Sequence, residues 1–297
     1  MSHIPELVYA GRAELAEGPV WHAGALWWVD ILAGTLNRLE PVTGLNTSRG
    51  LGAFVGAAVP TSDGRWLVAR QYDCAVLDWA TGALNPFSRF DGVRPRHRLN
   101  DGKCDPCGRF WVGSLSRDGA LGESALFVVE ASGETRLVVP GVSCSNGLAW
   151  SPAGDRLYYI DSLARCVDGF RFDPATGALS ERKTFIALSE SDGMPDGMTI
   201  DAEGNLWVAL LEGGGLLHVD GRTGAVLRRV ALPATLVTSC AFGGADLRTL
   251  FITTAWEGRT RAQRDAEPLA GSIFALRVDV GGLPVVPFKI EPRIASA

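Results

Sequence analysis

The chain has 297 residues, room for two average domains or one large all-β domain, and its 28 basic and 33 acidic residues leave a net charge of -5. No cluster of Lys and Arg offers nucleic acid the basic face its phosphates require, and no apolar run approaches the roughly 18 residues of a membrane span. Six cysteines are too sparse to frame a secreted disulfide domain, so they read as reduced, small, buried hydrophobes.

The N-terminal stretch "MSHIPELVYAGRAELAEG" lacks the basic start and apolar run of a signal peptide, and the expectation is a cytoplasmic protein. Within it, "PELVYAG" predicts a strand that pairs with the last part of the fold near "GSIFALRVDV". Six similar apolar strands follow: "LWWVD" at 26, "WLVAR" at 66, "FWVGS" at 110, "LYYID" at 157, "LWVAL" at 206 and "LFITT" at 250. Most follow a Gly-bearing turn such as "SDGR" at 62, "PCGR" at 106 or "DAEGN" at 201, as a tight hairpin demands. A second set of turns, "PVTG" at 41, "WATG" at 79, "DPATG" at 173 and "DGRTG" at 220, separates the outer strands. The repeated unit is therefore four strands in about 45 residues, which is a propeller blade. The expected fold is all-β: a six-bladed β-propeller of four-stranded antiparallel blades, a single domain over residues 1–297, with a metal site in the central channel.

About ten residues before each aromatic strand lies the expected innermost strand: "EGPVW" at 17, "VGAAV" at 55, "NDGKC" at 100, "NGLAW" at 146, "DGMTI" at 196 and "SCAFG" at 239. Equivalent positions on different blades point to one axis, so Glu17, Asn146 and Asp196 are expected to converge. Carboxylates held together repel unless a proton or cation lies between them. Oxygen donors of this kind suit hard divalent cations such as Ca²⁺, Mg²⁺ or Mn²⁺. The competing reading makes each Asp-Gly and Asn-Gly a simple hairpin turn.

Together, "EGPVW", "RLNDGKCDPCGRFWVGS", "SNGLAWSPAGDRLYYIDS", "MPDGMTIDAEGNLWVALLEGG" and "TSCAFGGADLRTLFITTA" resemble the senescence-marker-protein/gluconolactonase family, which includes regucalcin and bacterial sugar lactonases. The resemblance spans essentially the whole chain. It implies one divalent cation in the channel (Ca²⁺, or Zn²⁺, Mn²⁺, Mg²⁺ or Fe²⁺), with Glu17, Asn146 and Asp196 matching its ligands. Arg98 and Asn100 match the residues that hold substrate. The acidic substrate contact falls in "GSLSRDGALGE", with Asp118 the best match by spacing and Glu123 the alternative; Leu115 stands where the family has Met.

The expected activity is divalent-metal-dependent hydrolysis of a sugar lactone, such as gluconolactone or a pentonolactone, to the aldonic acid. Asp196 is the expected general base. Arg98 and Asn100 would bind hydroxyls, and Arg98 would stabilise charge developing on oxygen. The partner is a small sugar lactone; neither nucleic acid nor membrane is expected, and oligomeric state is left open. Two alternatives stay open: hydrolysis of another ester or an organophosphate on the same metal, and a non-enzymatic calcium-binding regulator. Nucleophile-elbow, zinc-protease and dinucleotide motifs are absent from the sequence. Cys104 and Cys107 have C-x-x-C spacing, yet no second pair completes a zinc site and the expectation is no functional thiol pair. His97 is expected on a surface loop, Asp101 behind the ligands or in a turn, and Trp256 in a blade core or under a sugar ring.

Overall fold

A computed structural model describes residues 4–291. Its strands form six four-stranded antiparallel sheets: residues 16–50, 55–89, 97–142, 145–187 and 194–231 make the first five, each sheet keeping the order of the chain. The sixth combines residues 236–277 with the strand Glu6–Tyr9, which pairs antiparallel with Ile273–Arg277 in the register Glu6↔Ala275. The predicted pairing of the two ends is present, and it completes the sixth blade. The innermost strands are Ala16–His22, Val55–Pro60, His97–Cys104, Ser145–Trp150, Met194–Ile200 and Leu236–Gly243. Each touches the innermost strand of both neighbouring blades, the sixth touching the first, so the blades form a closed six-bladed β-propeller.

Burial follows position in the blade. Ser145–Trp150 is buried throughout and Arg156–Asp161 nearly so, whereas the outermost strand Ala178–Ala187 is mostly exposed and carries "SERK". Charged side chains on that free edge discourage pairing with another chain. The apolar core is divided into six wedges, one between each pair of adjacent blades. Trp27 of the first blade and Trp66 of the second meet at 4.3 Å between ring centroids. Trp111 packs edge-on against Trp150 and Phe172 across the third and fourth blades.

Hairpin turns hold the blades in register, and the turn at 105–109 shows how. Gly108 has φ +85°, a left-handed conformation that disfavours a side chain. The Asp105 carboxylate accepts from Cys107 N at 2.8 Å, Arg109 Nε at 2.6 Å and Trp111 Nε1 at 3.0 Å. Cys107 is thus part of a turn built around Asp105; its thiol donates to the Pro174 carbonyl at 3.1 Å, while Cys104 is buried, and both are free. Among the described residues no helix is long and apolar enough to cross a membrane.

Trp111 is fully buried and donates to a fully buried carboxylate. Trp111→Ala is expected to lower unfolding stability by about 3–5 kcal/mol, read from the urea midpoint, through the lost apolar contacts and the cavity left behind.

Candidate functional site

The antiparallel ladder between the first and second strand breaks at one level in every blade. The register shifts lie at Glu17/Val20, Val55/Ala57, Leu99/Gly102, Ser145/Leu148, Pro195/Met198 and Val237/Ser239. A bulge leaves a residue unpaired and re-aims its side chain. Here the displaced residues include Asn100, Asp101, Asn146 and Asp196, while Glu17, still paired with Val29, stands at the edge of its bulge; all five are at most 7% exposed. The second blade offers only Gly56 at this level, and Thr238 of the sixth is engaged by the Ala16 carbonyl at 2.6 Å. Polar side chains therefore reach the channel from the first, third, fourth and fifth blades.

These Asp-Gly and Asn-Gly pairs are not hairpin turns; they lie within strands. Their glycines serve close approach. A Cβ on Gly147 would stand 2.7 Å from the Asp196 carbonyl oxygen and 2.7 Å from Met198 N, and one on Gly197 would stand 2.1 Å from Ser239 Oγ. Asp101 accordingly belongs to the buried channel and not to a turn.

Hydrogen bonds fix the orientation of each group. Asn100 Nδ2 donates to the Ser145 carbonyl at 2.8 Å and, more weakly, to Asn146 Oδ1 at 3.3 Å. Its Oδ1 accepts from Arg98 Nη1, which also reaches the Leu99 carbonyl at 3.2 Å. Asn146 Nδ2 donates to Ser162 Oγ at 2.8 Å, and Ser162 Oγ donates to the Pro195 carbonyl at 2.6 Å. That relay ties Asn146 to the strand carrying Asp196 and turns the amide oxygen away from Ser162. Glu17 Oε2 accepts from Gly18 N at 2.8 Å.

The electrostatics of this group are unbalanced. Burial raises the Glu17 carboxyl well above its usual range, and the charges of Asp196 and Asp101 raise it further. Asp196 is raised well above its usual range by burial and then by Asp101. Asp101 is raised by burial, with Lys103 opposing the shift. Arg98 lowers both Glu17 and Asp196 but ranks behind burial and carboxylate repulsion in each. Among the described residues no ion pair within 4 Å involves Glu17, Asp101 or Asp196. Buried carboxylates that repel each other beside an inward amide oxygen fit a hard divalent cation. Among the described residues no three His, Cys, Asp or Glu side chains form a metal-holding group.

The remaining expected residues sit elsewhere. Asp118 and Glu123 lie on the exposed segment 117–123, paired with Arg96 at 2.9 Å and Arg94 at 3.0 Å respectively. His97 is not on a surface loop: it opens the innermost strand of the third blade, is 4% exposed, and neither ring nitrogen is hydrogen-bonded. That strand starts two residues before Leu99, pairing His97 with Ser116. Trp256 lies at the rim with Arg264 over its ring at 4.7 Å and its indole donating to the Arg12 carbonyl, so one face is already covered.

Four contributors were not legible as site residues. Ser145 and Ser162 are two among many serines. Lys103, inside the motif "NDGKC", donates to the Met198 carbonyl at 2.7 Å across the channel. Glu257 interacts with Arg98 and Asp196 from the rim, its own carboxyl raised by desolvation. The only earlier signal for it is its place after Trp256. Cys144 is close to Arg98 and Asp196, but burial pushes its thiol up to about 12, which leaves it protonated and inert.

Because Glu17 and Asp196 are raised in the fold, the stability they contribute is present below the unfolded carboxylate range and lost as pH rises through the raised values. In chelator, the melting temperature should fall over the window that opens above about pH 5, and Asp196→Asn should flatten the fall. A metal-free protein that becomes more stable over that window contradicts the repulsion.

Residues 15–256 match the family model described as the SMP-30/Gluconolactonase/LRE-like region. A Bacillus subtilis (strain 168) protein with the provisional name sugar lactone lactonase YvrE is 36% identical over 279 residues, covering 93% of this chain and 96% of that one. Regucalcin of Danio rerio is 37% identical over 284 residues, covering 94% and 96%. The crystal structure of a calcium-binding protein, regucalcin, from Agrobacterium tumefaciens superposes with a TM-score of 0.92 at 27% identity, covering 97% of this chain and 98% of that one. With Glu17, Arg98, Asn100, Asn146 and Asp196 all within the matched span, this chain belongs to the SMP-30/gluconolactonase/LRE-like family.

Proposed function

We propose that this protein hydrolyses a sugar lactone to its aldonic acid, using a divalent cation held by Glu17, Asn146 and Asp196. The observation that carries the reading is the buried group of carboxylates and an oriented amide, brought to one level beside bulges in different blades and lacking an ion-pair partner among the described residues. The provisional lactonase name of the Bacillus subtilis relative supports the substrate class. Regucalcin, the name of a solved relative described as calcium-binding, supports a hard cation.

Bound there, the cation supplies Lewis-acid polarisation of the lactone carbonyl. Asp196, with its carboxyl raised by burial, accepts a proton from the attacking water. The water oxygen bonds to the carbonyl carbon, the ring C–O bond breaks, and the departing ring oxygen takes up a proton to become the hydroxyl of the acid. Arg98 is held by Asn100 and supplies N–H donors to substrate oxygens and to the charge that develops on them. Asn100, with its own amide engaged by Ser145, acts chiefly by fixing that guanidinium. Asp118 would meet the sugar from the rim in exchange for its pair with Arg96. Several polar groups at one mouth favour a polyhydroxylated lactone over a plain ester, because each needs a partner once water leaves. We place this activity in the cytoplasm.

The name regucalcin also favours a second reading, a calcium-binding protein without turnover. Assay of gluconolactone, galactonolactone, xylonolactone and arabinonolactone separates the two. Turnover of at least one, lost in chelator and restored by a divalent cation, is expected; cation binding with no turnover of any lactone would establish the second reading. Asp196→Ala should fold and lose about 10²–10⁴-fold in kcat. Ser162→Ala, which frees the Asn146 amide, should weaken cation affinity about 10-fold, measured by calorimetry.

A further inference from the structure

The channel is covered at its base. Residues 281–289 cross from the fifth and sixth blades to the second and third. At one end Ala202 N donates to the Gly281 carbonyl at 2.8 Å and Gly282 N to the Leu247 carbonyl at 2.9 Å. At the other, Phe288 N donates to the Pro60 carbonyl at 2.8 Å, Lys289 N to the Gly108 carbonyl at 2.9 Å, and the Phe288 ring is fully buried. Between these anchors runs "LPVVP", whose two prolines have no N–H to satisfy and so suit a strap without sheet partners.

Above the strap is a cavity of about 490 Å³. It lies between the later residues of the innermost strands, Val20, Ala149, Ile200 and Ala241 among them, and strap residues such as Val285. Glu17 and Asn146 sit near the starts of those strands, and the cavity begins beside them, at Gly18 and Asp101, and runs towards the strap. The walls are largely aliphatic, with the Lys103 ammonium and the Asp101 carboxylate among the few charged groups. Volume, apolar walls and sparse convergent polar groups are the marks of a small-molecule site. Lys103 gives one N–H to the Met198 carbonyl, and an ammonium has three.

We propose that this cavity is a second ligand site, for a compact apolar monocarboxylate: its chain lies along the aliphatic walls and its carboxylate accepts from Lys103. An apolar chain matches the walls. An anionic head matches the ammonium and offsets the cost of burying it, on the side of Lys103 away from Asp101, which shares the wall. The cavity adjoins the proposed cation site through Gly18 and Asp101, but its ligand does not depend on the lactone reading and the two fail separately in the test below.

The test uses the full chain, with decanoate and decanol titrated by calorimetry. Decanoate is expected to bind one per chain, at least tenfold more tightly than decanol. Ala241→Phe, on an innermost strand with its neighbours Cys240 and Phe242 in the core, fills the cavity and should weaken decanoate at least tenfold while lactone turnover is unchanged. Lys103→Met should bring decanoate down to the decanol level. No saturable decanoate binding, equal binding of the two compounds by the unaltered chain, or full binding by Ala241→Phe would overturn the proposal and leave the strap as a plug. Decanoate binding without lactone turnover would sustain the second site and remove the proposed reaction.

Discussion

Repulsion among buried carboxylates is the constraint around which the channel is arranged. Glu17, Asp101 and Asp196 come from three blades, are nearly sealed from water, and have no ion-pair partner within 4 Å among the described residues. A fold gains nothing in stability from such a cluster, since each charge is desolvated and each opposes the others. It persists because six wedges of apolar side chains hold the blades independently of it. Stability resides between the blades, and the unbalanced charge resides on the axis.

The bulges connect those two regions. A regular ladder would alternate side chains between the faces of a blade and bury them in the wedges. Breaking the register at one level in each innermost strand diverts a residue to the axis without disturbing the strand beyond it. The glycines beside the diverted residues then let neighbouring strands approach: Gly147 meets the backbone at Asp196 and Met198, and Gly197 meets Ser239. Asn146, Ser162 and the Pro195 carbonyl form a link between adjacent blades, so the spacing of the amide and the carboxylate is set by packing as well as by sequence.

The blade repeat was readable because each copy carries an aromatic strand after a Gly turn, and the phase of the copies indicated which residues share the axis. The closure by Glu6–Tyr9 was readable for the same reason. The bulges were not, since Asp-Gly has the same letters in a hairpin turn and in a distorted strand. His97 was misplaced because its basic neighbours resemble a loop, whereas its backbone already pairs with Ser116. The rim resisted reading too: Asp118 and Glu123 are both engaged by arginines of the segment preceding the third blade, and spacing alone does not reveal such partners. Lys103 and the strap at 281–289 belong to the base of the channel, where no repeat marks them.

The most direct test is anomalous diffraction from crystals grown with a divalent cation, collected at an energy where that cation scatters anomalously. The account predicts a single channel peak within about 2.0–2.6 Å of a Glu17 carboxylate oxygen, Asn146 Oδ1 and an Asp196 carboxylate oxygen. A channel with no peak, or a cation bound without these three side chains, would contradict it.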